Sequence, residues 1–175
     1  MPTREDIVLL AAYNASMNRK LYAAAAQLPE SELAADRKAF FGSLLGTLNH
    51  IMSGDTIWLR RFMAHPAGFR ALEAMREIPE STGLTHQFGA DLPSLLAIRN
   101  RLDEMITALA AELSTADLAL PVAYRNALGA HCTPFGSLLL HFFNHQTHHR
   151  GQASTLLSQA GVDIGVTDLL VLIKD

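Results

Sequence analysis

Residues 133–161, TPFGSLLLHFFNHQTHHRGQASTLLSQAG, read as one long helix, and that reading decides the fold. Thr133 suits the N-cap, Pro134 the first turn, where a missing N–H costs nothing, and Gly161 the C-terminal stop. Roughly 27 residues at 1.5 Å each make a rod of about 40 Å. At about 100° per residue, Leu138, Phe142, His145, His149 and Leu156 fall within roughly 60° of one another. Two histidines therefore stand inside an apolar stripe, with His141 and His148 at its edge.

Three further long helices follow from the same periodicity. Thr3 and Asp6 resemble a capping box with Asp in place of Glu or Gln. After them Ile7, Leu10, Asn14, Met17, Leu21, Ala24 and Leu28 mark one face before Pro29. A second helix runs from about Ser43 to Ala64, with Leu44, Leu48, Ile51, Asp55, Leu59 and Phe62 as its stripe and His65-Pro66 as its stop. A third runs from about Leu92 to Leu113. Between the second and third lies a long connection, with a short helix expected around Phe69–Arg76 and a loop over Glu80–Asp91. Leu118–Cys132 reads as extended or irregular. The apolar tail VTDLLVLIKD is expected to pack back or to meet a partner. Four long amphipathic helices with little strand signal predict an all-α protein, a four-helix bundle forming a single domain over residues 1–175.

The composition narrows the function classes. Of the 175 residues, 49% are hydrophobic and only 18% charged, against about 25% charged in an average domain. Fewer charges to cover the outside point to an apolar surface hidden in an oligomer. A net charge of −3 without a basic run gives no footprint for nucleic acid. No apolar run approaches the roughly 18 residues of a membrane span. The start, MPTREDIVLL, does not read as a signal peptide. The lone Cys132 excludes an intramolecular disulfide framework. A soluble cytoplasmic protein is expected.

The histidines carry the chemistry. His145 and His149, four apart, are neighbours on a helix and can aim both rings at one point. They are either satisfied core residues or half of a metal site, since a catalytic centre wants three protein ligands and an open position. His50, mid-helix in LNHIMSGDTIWLRR, is a candidate third, with Asp55 to orient a ligand ring. Other nucleophile-generating patterns are missing. There is no G-x-S-x-G elbow, no Glu after the first His of H-x-x-x-H, and no Glu-x-x-His of the ferritin type.

His50 followed by Asp55 and Trp58 in HIMSGDTIWL, together with NHQTHHRGQ near the C-terminus, resembles the DinB/YfiT-like superfamily. Tyr13-Asn14 in the first helix adds a weaker likeness. The resemblance implies a four-helix bundle of DinB/YfiT-like type with unusual connectivity, often a homodimer. It makes His50, His145 and His149 the ligands of one divalent metal, zinc or nickel. It also implies thiol-linked transfer or isomerisation of a small-molecule substrate, with a low-molecular-weight thiol as cosubstrate, or else hydrolysis. The alternative is a non-catalytic dimeric bundle whose metal is structural or whose histidines stay empty. Arg150 is expected to face away from the metal, Gln152 to return toward it, and Gly151 to admit a neighbouring helix.

Overall fold

A computed structural model of the chain describes residues 1–173. It is mostly helical. The long helices are α1 (Arg4–Ala25), α3 (Leu44–Phe62), α4 (Leu92–Glu112) and α5 (Phe135–Gln159), with a short α2 (Glu30–Ala34) between the first two. Strands β1 (Pro121–Asn126) and β2 (Gly129–Pro134) form a hairpin ahead of α5. Single 3₁₀ segments cover Arg70–Glu77, Asp117–Ala119 and Leu169–Leu172. No helix among the described residues is long and apolar enough to cross a membrane.

Local chemistry sets the helix starts. Thr3 Oγ1 accepts from Asp6 N at 3.1 Å and Asp6 Oδ2 from Thr3 N at 2.8 Å, completing the capping box. Ser43 Oγ caps α3 through Gly46 N, and Asp91 Oδ1 caps α4 through Ser94 N. Each relieves an orphan N–H of a first turn, worth roughly 1 kcal/mol.

The long helices pack in a ring, α1 on α4 and α5, α3 on α5 and α4. Leu21, Leu59, Leu95, Leu102 and Leu157 are sealed from solvent between them. At one end Phe62, Phe69 and Phe135 stack together with His65. His65 is buried there, its Nε2 on the Asp117 carbonyl at 3.1 Å.

Four expectations change. The protein is not purely helical, because Leu118–Cys132 holds β1 and part of β2, closed by the two-residue turn Ala127-Leu128. Thr133 therefore pairs with Val122 in the hairpin instead of capping α5. The N-cap position falls to Pro134, which has no side-chain donor or acceptor, and Phe135 N instead bonds the Leu120 carbonyl at 2.9 Å. The first helix stops at Ala25, short of Leu28, and a short α2 that no periodicity marked follows it. The tail docks only in part. Tyr13 Oη donates to the Thr167 carbonyl and Lys20 Nζ to that of Val166, yet Leu170 and Val171 stay exposed.

Candidate metal centre

His50 lies on α3 and is buried; His145 and His149 lie one turn apart on α5, the first half-buried and the second buried. The structure brings the three together, with one ring nitrogen from each lying within 4.8 Å of the others. Among the described residues no Asp, Glu, Cys or further His joins them. His141 is exposed, its ring 6.3 Å from that of His145, and His148 is exposed and turned toward Gln152.

The hydrogen bonds fix which nitrogens face inward. His50 Nδ1 lies 2.9 Å from the Leu84 carbonyl, which can only accept, so Nδ1 carries the proton. His149 Nδ1 donates likewise to Gln152 Oε1 at 2.8 Å. Both Nε2 atoms are then bare lone pairs, and they confront each other across 3.1 Å. A neutral imidazole has no second proton to place between them. The pair is satisfied by an added proton or by a cation. Burial disfavours the proton, depressing all three imidazole pKa values, that of His145 to about 4.

A metal ion fits this donor set. Two nitrogens about 2.0–2.1 Å from one ion and 3.1 Å apart subtend roughly 100°, between octahedral and tetrahedral angles. The third ring brings a nitrogen within 4.8 Å of both, close to the about 4 Å that two such ligands can span. Leu84 and Gln152 supply what ligating histidines ordinarily have, an acceptor on the other ring nitrogen.

Several residues around the cluster are invisible to periodicity. Asn49, next to His50, is buried and accepts from Phe88 N at 2.7 Å while donating to the Gly89 and Leu45 carbonyls. It pins the loop that delivers Leu84. Phe41 stacks flat on His50, ring centres 3.8 Å apart, and closes that side. The signal available beforehand was the pair Asn49-His50 itself, a buried amide beside a ligand. Gln152 does return to the site, as its helical position implied.

Of the other expectations, those for Asp55 and Gly151 are corrected, and that for Arg150 holds. Asp55 touches no histidine; Arg99 Nη1 and Gln146 Nε2 both donate to its carboxylate. Arg99 also meets Asp103 at 3.0 Å, and Asp103 accepts from Asn18 at 2.9 Å and Asn14 at 3.2 Å. Arg150 faces away from the cluster, buried, donating to Asn14 Oδ1 and Thr147 Oγ1. All four long helices thus share one buried polar network. Burial works against the charge of Arg99, but Asp103 and Asp55 more than offset it and raise its pKa. Burial raises the Asp103 carboxyl despite Arg99. Gly151 admits no neighbour, the space around it being open. Trp58 packs on Phe62 and Tyr124 with Arg61 over its ring, and reaches His141. Cys132 is exposed and free.

A mostly helical protein in which three imidazoles from two helices converge is the class that fold and site define. The model of the DinB family matches residues 1–174, and the chain belongs to that family. It is 25% identical over 157 residues to the Protein DinB of Bacillus subtilis (strain 168), covering 89% of this chain and 87% of that one. No solved structure matches.

Proposed function

We propose that His50, His145 and His149 hold one divalent metal ion, zinc or nickel, and that the protein is a metal-dependent enzyme acting on a small molecule. The observation that carries this reading is the confrontation of two bare Nε2 atoms at 3.1 Å, each with its Nδ1 tied to a fixed acceptor. Imidazole donors suit both metals. A cluster of three, with no fourth side chain in reach among the described residues, favours a catalytic centre over a closed structural one.

When bound there, the cation supplies Lewis acidity, which lowers the pKa of a thiol or a water toward neutrality. The chain does the rest. Leu84 and Gln152 hold two rings in the required tautomer. Phe41 shields the His50 side. Asp55 is engaged by Arg99 and Gln146, so the ligands stay uncharged and the ion keeps its full charge. The half-exposed His145, flanked by His141, is the side from which substrate reaches the site. The reactions that suit it are transfer or isomerisation with a low-molecular-weight thiol, or hydrolysis.

The ring of long helices supports a DinB-type four-helix bundle, one domain over residues 1–175. Val166, Leu170 and Val171, 57%, 74% and 53% exposed, support pairing of two copies. Metal analysis tests the central claim. One divalent ion per chain is expected in the purified protein, and none in His145→Ala or His149→Ala. A metal-free wild type that also fails to take up added zinc or nickel overturns it. Conjugation of electrophiles by a panel of cellular thiols, with and without chelator, then tests the reaction class.

A further inference from the structure

One turn beyond His50, in the interior of α3, stands Gly54. Glycine weakens a helix relative to alanine, so an interior glycine calls for a reason. Here the reason is contact. A Cβ at Gly54 would lie 2.5 Å from Cε1, 3.0 Å from Nδ1 and 3.4 Å from Nε2 of His145, and those are the three nearest atoms. The first distance is shorter than any real Cβ contact. The His145 imidazole therefore lies directly against the bare backbone of α3.

Neither helix can draw back to make room. Asp55, the next residue on α3, is locked to Arg99 of α4, and Gln146, the next residue on α5, donates to the same Asp55 carboxylate at 2.6 Å. Gly54 and Ser53 are themselves buried. With the backbones clamped, the part that moves is the ring. His145 is the half-exposed member of the cluster and makes no hydrogen bond among the described residues, so displacement takes it outward, away from His50 and His149.

We infer that Gly54 is a positioning residue for His145: the absence of a side chain there lets the third imidazole lie across α3 and point into the cluster. The inference rests on the metal reading above. On it, α3 contributes twice, a ligand at His50 and a hollow four residues later on the same face. The sequence offered Gly151 as the close-contact glycine; the geometry assigns that part to Gly54.

The test is a zinc titration, by competition with a chromophoric chelator, of wild type, Gly54→Ala, His145→Ala and the double variant. Thermal unfolding of each is followed in chelator. Gly54→Ala is expected to bind zinc about 10- to 100-fold more weakly, the range for residues that orient ligands. In the His145→Ala background, which is expected to retain no metal, the same change is expected to cause no further loss of any residual zinc affinity in the titration and to leave the metal-free protein no less stable. Equal zinc affinity of wild type and Gly54→Ala within twofold overturns the inference. If Gly54→Ala fails to fold, the double variant decides. Recovery of folding upholds the clash with His145, and continued failure places the clash elsewhere and overturns it. A wild type that binds no metal sinks the metal reading alone, since the stability comparison in the two backgrounds still tests the contact.

Discussion

Two buried polar clusters sit side by side between the same helices, and they are built on opposite terms. The network of Arg99, Asp55, Asp103, Asn14, Asn18, Gln146 and Arg150 contains two cations and two carboxylates within itself. Its charges sum to zero, although Arg99 Nε and Gln146 Oε1 find no hydrogen-bond partner among the described residues. The cluster of His50, His145 and His149 holds only bases, two of them lone pair to lone pair. The first is balanced in charge as folded. The second is short of one positive charge, and burial opposes a proton in supplying it. Residues of comparable burial and polarity can thus hold a fold together in one place and ask for a ligand in the next.

The largest expected effect comes from breaking the closed network. Arg99→Ala or Asp55→Ala strands a buried charge and is expected to cost about 3–5 kcal/mol in urea unfolding, enough to unfold a marginal domain. Replacing both together, as Arg99→Met with Asp55→Leu, is expected to be milder, because Asp55 is not left stranded and Asp103, which loses Arg99, keeps the amides of Asn14 and Asn18. A double change as damaging as the worse single one would show that the pair is not the unit.

Breaking the open cluster should have the contrasting signature. His50→Ala is expected to weaken zinc binding at least about 100-fold, about 2.7 kcal/mol, while leaving the metal-free protein as stable as wild type or more so. A large loss of stability in chelator would mean that the imidazoles serve the core instead. One step smaller, Gln152→Ala and Asn49→Ala should each weaken zinc about tenfold or somewhat more. Asn49 acts by freeing the loop that carries Leu84, so amide exchange across residues 84–89 should accelerate in that variant alone.

Acidification gives the mildest contrast. The folded imidazoles have depressed pKa values, so below an ordinary histidine pKa of about 6.5 the unfolded chain binds more protons than the folded one. The stability they contribute is fully present above about pH 6.5 and is lost as pH falls toward about 4, where His145 titrates. Chemical denaturation of the metal-free protein across that window should fall with pH, and the slope should shrink in His145→Ala.

What could be read beforehand was whatever is local. The Thr3–Asp6 box spans three residues, and the stripes of α1, α3, α4 and α5 repeat within their own windows. His145 and His149 announce themselves by spacing on one helix. His50 offers itself only as a mid-helix candidate; its place beside the other two came from likeness to DinB-type chains, since nothing in its own segment says which helix it will face. The hairpin was read only as extended, because among β1 residues Val122 alone is buried and the turn Ala127-Leu128 has no Asn-Gly or Gly-Gly mark. Helix α2 is too short for a period and is anchored by Leu33 alone. The charged network joins Asn14 to Asp103 across 89 positions, and no window of sequence contains both. Asp55 was legible as a buried acid but not as a partner of Arg99. Gly54 could be seen as an oddity in a helix, though not what it makes room for.

The 99 positions between His50 and His149 have a consequence during synthesis. A nascent chain whose first hundred residues have left the ribosome exposes one imidazole of the three and has nothing with which to chelate. A cation held as proposed would therefore join last, after the C-terminal quarter has emerged and docked. A chain released before residue 135 is expected to retain none on a desalting column.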